Sequence, residues 1–344
     1  MTNLPKNLGY TMPAEWARHT ATWLAWPYDP ITFPQRVAKV EQVYCQLIDC
    51  LSAGEKVKIL VRDKAAQTQV VKLLTDNGSN LNRVSFYQAD YADVWIRDYG
   101  PTFLTHSDPK LKAWSKWRYN AYGNKFPELL KDDLVFNNLG GQVNGTKFAA
   151  DLIMEGGAIE VNGQGLALTT EECLLNPNRN PNLSKGQIEE LLKNYLGLTK
   201  VIWLKQGIHN DHTDGHIDEL ARFVNERTVL LAWTDDADNP NYQLVHENYE
   251  ILQSETDLNG EKLTVVKLPL PQVSYDDGQL APASYTNFYI ANDLVLTVQF
   301  SQAEDRQANE IIGRYFPNRK IISLPADDLI YGGGTLHCIT QQEP

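Results

Sequence analysis

The chain has 344 residues, 42% of them hydrophobic, with 31 Lys and Arg against 43 Asp and Glu and a formal net charge of −12. That composition buries a sizeable core and excludes a disordered tail, a collagen-like repeat and a multi-pass membrane protein. The acidic balance argues against nucleic acid, whose phosphates need clustered Lys and Arg, and draws in cations instead.

At about 150 residues per domain, the length allows two domains or one large α/β domain. The N-terminal MTNLPKNLGYTMPAEW lacks a basic region followed by an apolar one, and no run approaches the roughly 18 apolar residues of a membrane span. The expected setting is the reducing cytoplasm, where Cys45, Cys50, Cys173 and Cys338 are free thiols; none forms a C-x-x-C pair.

Strand-like runs then come in pairs, each pair followed by an amphipathic helix and another short strand. The first unit lacks its opening strand: TATWLAW, a helix over 36–52 with Cys45 and Cys50 as filler, and VKILV. A looser unit follows, with WIRDYGPTFL, LKAWSKW and a weak helical stretch over 127–138. The third has MEGGAIEV, GLALTT, a helix over 185–196 and KVIWL, with Cys173 expected to be inert in TEECLL. The fourth has HIDELARFV, TVLLAW, a helix over 241–254 and LTVVKL; the fifth has YTNFYIA, DLVLTVQF, a helix over 304–315 and KIISL. The C-terminal LHCITQ is left over, and serves as the missing first strand of the N-terminal unit if the chain closes on itself. Counted from Asp98, Glu155, His216, Asn287 and Cys338, the spacings are 57, 61, 71 and 51 residues, a repeated unit with loop insertions rather than a fixed-period solenoid.

Each unit opens on a polar cluster beside glycines, which allow close backbone approach where a substrate sits. The residues alone leave alternatives open: Asp98 could pair with Arg97 or cap a turn, and Glu155 could satisfy neighbouring N–H groups. On an extended strand His216 and Asp218 project together, with Ile217 and Glu219 on the other side, and His337 points away from Cys338. A carboxylate beside a histidine fixes its tautomer and raises its pKa, as acid–base work requires. The same run also holds His209, His212 and a D-x-H-x-D (Asp214, His216, Asp218) that resembles manganese ureohydrolases. Those enzymes need a second carboxylate motif, which is absent here, so no metal is expected.

WIRDYGPTF, MEGGAIEV, TDGHIDELARF, ASYTNFYIAN and GGGTLHCITQQEP resemble, in order, the motifs of agmatine deiminases and the related Porphyromonas-type peptidylarginine deiminases. MPAEWARHTATWLAWP and WRYNAYGNKFP carry the resemblance over nearly the whole chain. It implies an α/β pentein fold, a five-bladed propeller of ββαβ modules about a pseudo-fivefold axis, as one catalytic domain over 1–344. It also implies Cys338 as nucleophile, His216 as acid–base group, and Asp98, Glu155 and Asp218 as the carboxylates gripping a guanidinium. Trp95 and Asn287 then lie at the substrate channel, with Gly333 and Gly334 giving close backbone approach. The implied reaction is hydrolysis of agmatine to N-carbamoylputrescine and ammonia, without metal or cofactor, in a homodimer or larger assembly that binds neither nucleic acid nor membrane. Free or peptidyl arginine is the first alternative substrate, and metal-dependent ureohydrolysis the second alternative. Three departures, Thr335 for the usual Asn, Tyr99 after Asp98, and HTDGHID for DTNGHVD, bear on the far end of the substrate.

Overall fold

The runs TVLLAW and LVLTVQ are buried along nearly their whole length, as strands covered on both faces must be. They form the centres of two of five separate mixed sheets in this computed structural model, which describes residues 3–344. In each sheet a short first strand pairs antiparallel with the central one, which pairs parallel with a third. The sets are Thr102–Leu104, Ala113–Arg118 and Thr146–Ile153; Glu160–Val161, Leu166–Thr170 and Lys200–Leu204; Ala221–Phe223, Thr228–Trp233 and Thr264–Pro269; and Tyr289–Ile290, Leu294–Gln299 and Lys320–Pro325.

The remaining sheet joins the two ends of the chain: Gln341–Glu343 runs antiparallel to Ala21–Ala25, with Trp23 opposite Gln341. Two features of it differ from expectation. The closing strand begins at Gln341, because residues 336–339 form a turn rather than the strand LHCITQ. The sheet also gains a fourth strand, Val84–Gln88, delivered by the unexpected helix Lys64–Asp76.

Parallel neighbours need a crossover, and helices supply it. Lys185–Leu196 buries Ile188, Leu192 and Leu196, four residues apart, and is bounded by a Ser184–Gln187 capping box and Gly197 at φ 68°. Tyr242–Ser254 and Asp305–Tyr315 repeat the arrangement. The second unit departs from it. Tyr122 and Gly123 have positive φ and Pro127 opens a 3₁₀ stretch to Leu134, so no long helix forms between Arg118 and Thr146. Its side chains are left to build a cavity wall.

The units meet at Glu15, from the N-terminal MPAEW segment. Its carboxylate accepts from Arg222 (2.8 Å) and the Ile290 N–H (2.8 Å), and faces Arg97 (3.3 Å) and His337 (2.7 Å). Burial pushes Glu15 up, but Arg222, His337 and Arg97 more than reverse it and hold the carboxyl well below its usual range. Removing one partner of such a network leaves buried charge uncompensated. Glu15→Ala is therefore expected to cost about 3–5 kcal/mol in denaturant unfolding, against less than 1 kcal/mol for exposed Glu128→Ala.

Candidate active site

The polar residues at the unit openings ride on tight turns just ahead of the first strands. Asp98 lies in Ile96–Tyr99, Glu155 caps Gly156–Ala158, His216 caps Ile217–Glu219, and Cys338 lies in the turn over 336–339. On such a turn neighbouring side chains diverge by roughly 100–120° rather than the 180° of a strand. Alternation therefore fails here, and Glu219 does not face away: the Cys338 Sγ lies 3.8 Å from Asp218 Oδ2 and 3.7 Å from Glu219 Oε1. Nor does His337 point elsewhere. Its ring bridges Asp218 Oδ2 and Glu15 Oε2, each at 2.7 Å.

Three polar atoms converge above Gly157. A Cβ there would lie 2.6 Å from His216 Nδ1, 2.9 Å from Asp98 Oδ1 and 3.0 Å from Asp218 Oδ2, so only glycine lets the three groups close in on the backbone. Asp98 is not paired with Arg97, which turns to Glu15 and Gln342. It accepts instead from the Gly157 N–H (2.9 Å) and the Tyr122 hydroxyl (2.8 Å). Burial and the charge of Asp218 push Asp98 up to about 6, despite His216 and those hydrogen bonds. Burial pushes Asp218 up too, but the His337 hydrogen bond and the charges of His337, His216 and Arg222 bring it below the usual carboxylate range. Asp218 Oδ1 is buried without a hydrogen-bond partner, an acceptor free for a cationic donor.

The Cys338 turn is held by Asn287, which donates to Sγ (3.2 Å) and accepts from the Thr335 hydroxyl (2.7 Å) and the His337 N–H (2.9 Å). Burial, and then Asp218, Glu219 and Asp98, push the Cys338 thiol well above its usual range. For His216, burial opposes the charge, but Asp98, Cys173 and Asp218 outweigh it and raise the imidazole. Both shifts work against a thiolate at Cys338 and toward a charged imidazole at His216.

Behind His216 the arrangement differs from expectation. Glu155 Oε1 accepts from Arg179 Nε (2.8 Å), both side chains being fully buried, while Glu155 Oε2 has no partner. Cys173, expected to be inert, has its sulfur within 4.8 Å of a His216 ring nitrogen. The ureohydrolase donors do not gather. Asp214 is tied to Lys125, Asn178 and Arg179, and His212 stacks edge-on against Phe126.

A cavity of about 640 Å³ shares Trp95 and Tyr122 with the surroundings of the site and is walled also by Phe126, His212 and Tyr331, with the acidic Asp29, Glu128 and Asp277 in its lining. Trp95 is fixed by an Nε1–H bond to Asp93 Oδ2 (3.0 Å). Gly333, at φ 90°, lets the chain press on His212, and Gly334 sits against both Trp95 and the Cys338 sulfur.

The sequence model of the Porphyromonas-type peptidyl-arginine deiminase family matches residues 11–344. The chain belongs to this family. A Selenomonas ruminantium protein named "Putative agmatine deiminase" is 39% identical, covering 99% of this chain and 97% of its own. Among solved structures, the agmatine deiminase of Enterococcus faecalis is 32% identical with a TM-score of 0.91, covering 100% of this chain and 98% of its own. A cysteine-to-serine agmatine deiminase of C. jejuni with substrate bound is 28% identical with a TM-score of 0.86, covering 97% and 96%.

Family membership does not by itself pick out Glu15, Tyr122, Cys173, Glu219 and His337, which the sequence reading missed as parts of this site. Tyr122 lay inside the quoted WRYNAYGNKFP and Glu15 inside MPAEWARHTATWLAWP, so the signal was the presence of two motifs with no assigned chemistry. No helix among the described residues is long and apolar enough to cross a membrane.

Proposed function

We propose that this chain is a guanidine deiminase that hydrolyses agmatine to N-carbamoylputrescine and ammonia through a covalent thiouronium on Cys338. The observation that carries this is the convergence of one imidazole and two carboxylates at Gly157, with the Cys338 thiol 3.8 Å from Asp218. A planar guanidinium presents N–H donors in a rigid fork that matches such carboxylates. The proposal includes one catalytic domain over 1–344 whose five sheets form a five-bladed propeller around the site, working in the cytoplasm as a homodimer.

In the proposed sequence, Asp98 and Asp218 hold the guanidinium with its carbon facing Sγ. The bound cation offsets the surrounding carboxylates and favours loss of the thiol proton to solvent. The thiolate attacks the carbon, and His216 Nδ1 gives a proton to the departing ammonia, leaving the thiouronium. The neutral imidazole then takes a proton from water, whose oxygen adds to the same carbon, and collapse of that adduct expels the thiolate and the ureido product. Glu155, whose Oε1 is taken by Arg179, is not assigned to the guanidinium. The acidic lining favours a terminal ammonium over the carboxylate of free arginine.

The deciding assay measures ammonia and ureido product from agmatine, arginine and an arginine-containing peptide, with and without EDTA. Turnover of agmatine alone, unaffected by EDTA, supports the proposal; turnover of the arginine substrates moves it to arginine or peptidylarginine deimination. Urea formation lost with EDTA refutes it in favour of ureohydrolysis.

Two further results are expected. Protonation of Asp98 weakens the grip on a cation, so kcat/KM should fall as pH drops through about 6, the value of its carboxyl in the free enzyme. Gly157→Ala should lower kcat/KM at least about 10²-fold, because its methyl would clash with His216 Nδ1 and Asp98 Oδ1 and push those groups out of line by up to about 1 Å. A lower circular dichroism melting temperature should accompany that loss, because both displaced groups are buried.

A further inference from the structure

Three donor types of a soft divalent ion meet at one point that the proposed reaction leaves unused. A carboxylate oxygen of Glu155, Sγ of Cys173 and a ring nitrogen of His216 lie within 4.8 Å of one another, and all three residues are buried. The imidazole turns Nδ1 to Asp98 (3.7 Å) and Asp218 (4.0 Å), which leaves Nε2 for the opposite side. Both Nε2 and Glu155 Oε2 are buried without a hydrogen-bond partner.

Two unsatisfied polar atoms beside a thiol are unusual in a protein interior, where such groups are nearly always paired. Arg179 does not fill the gap. It uses Nε on Glu155 Oε1 (2.8 Å) and its other nitrogens on Asp214 (2.6 Å), Asn178 (2.8 Å) and the Thr213 carbonyl (2.8 Å). Its positive charge is therefore shared with Asp214, and Oε2 is left open.

We propose that Glu155, Cys173 and His216 form an inhibitory zinc site, in which the ion takes the imidazole nitrogen remote from the substrate. One carboxylate, one thiolate and one imidazole are a zinc donor set with a fourth position open. Zn–N, Zn–O and Zn–S bonds of about 2.0–2.3 Å place tetrahedral ligands roughly 3.3–3.8 Å apart, so the side chains close by about 1 Å on binding. The Cys173 thiol and the His216 Nε2–H each give up a proton to solvent as the Zn–S and Zn–N bonds form, and no oxidation state changes. A zinc-held imidazole cannot shuttle a proton through Nδ1 in the orientation that deimination requires; this consequence alone rests on the function proposed above.

The test avoids turnover. Full-length protein carrying Cys338→Ser, which removes the reactive thiol as a competing ligand, is dialysed against Zn²⁺ and separately loaded with Co²⁺. One Zn²⁺ per chain is expected, with a thiolate-to-cobalt band in the near ultraviolet. Adding Cys173→Ala should remove the band and weaken zinc binding at least tenfold. Glu155→Gln in the Cys338→Ser background serves as a second variant, with zinc again weakened at least tenfold. Absence of the cobalt band in the Cys338→Ser protein overturns the proposal, whatever the second variants do. So does a band that survives Cys173→Ala, or zinc that binds wild type and not Cys338→Ser. Because binding is read directly, failure here leaves the deiminase reading standing, and failure of that reading leaves the site testable.

Discussion

Cys338→Ser is expected to abolish ammonia release from agmatine while agmatine still binds within a few-fold of wild type. The binding side of this result follows from where the charges are. Asp98 and Asp218 converge at Gly157, and the sulfur that faces them is a neutral thiol in the resting protein, pushed up by burial and by Asp218, Glu219 and Asp98. Replacing one neutral hydrogen-bonding group by a smaller one costs the cation little. The chemical side follows from the nucleophile: a serine hydroxyl is a far weaker one than a thiol at neutral pH, and no base is placed to activate it as strongly. Calorimetry of agmatine binding alongside an ammonia assay separates the two effects. Residual turnover above about 1% of wild type would remove Cys338 from the nucleophile role.

His216→Ala is expected to lower kcat by roughly 10²–10⁴-fold, the usual worth of a positioned acid–base group. The loss should fall on kcat more than on KM, because the imidazole is charged in the resting site and opposes a second cation there. Removing it relieves that repulsion but also raises the Asp98 carboxyl further, so the comparison is made well above neutral pH, where Asp98 stays ionised and is still held by Tyr122 and Gly157. A variant within a few-fold of wild type would sink the assignment. A variant whose KM alone rises would make His216 a binding group.

The repeated units were legible because their strands obey simple patterning. Apolar runs such as TVLLAW are strands buried on both faces, and the helix over 185–196 carries its own capping box and terminal glycine. The second unit was read as weak and is weak, because the positive φ of Tyr122 and Gly123 and a proline at 127 break the helix. What escaped was the turn ahead of each first strand. His216 and Asp218 do meet at one site, but not by the two-residue alternation of a strand; a 3₁₀ turn brings Glu219 there as well. The same turn geometry at residues 336–339 sent His337 to Asp218 and Glu15.

Cys173 illustrates a different limit. TEECLL reads as a short buried segment, and it is one: the thiol is fully buried. Its neighbour, however, is a ring more than forty residues further along, brought there by the packing of one unit's turn on the next. Thr170 shows the same packing, donating its hydroxyl to the Gly215 carbonyl (2.6 Å). Contacts between units carry no local signature, and Glu15, whose partners come from four other parts of the chain, is the extreme case.

The pairing of Gln341–Glu343 with Ala21–Ala25 sets the time at which reactivity can appear. Thr20 and Glu343 are 323 residues apart yet hydrogen-bonded, so this is among the last contacts available to a growing chain. On the ribosome the imidazole and the guanidinium-facing carboxylates emerge before the thiol does. A stalled or early-released chain can therefore carry much of the fold and no chemistry at all, and a nascent protein stays inert toward cellular guanidines until its final sheet is sealed.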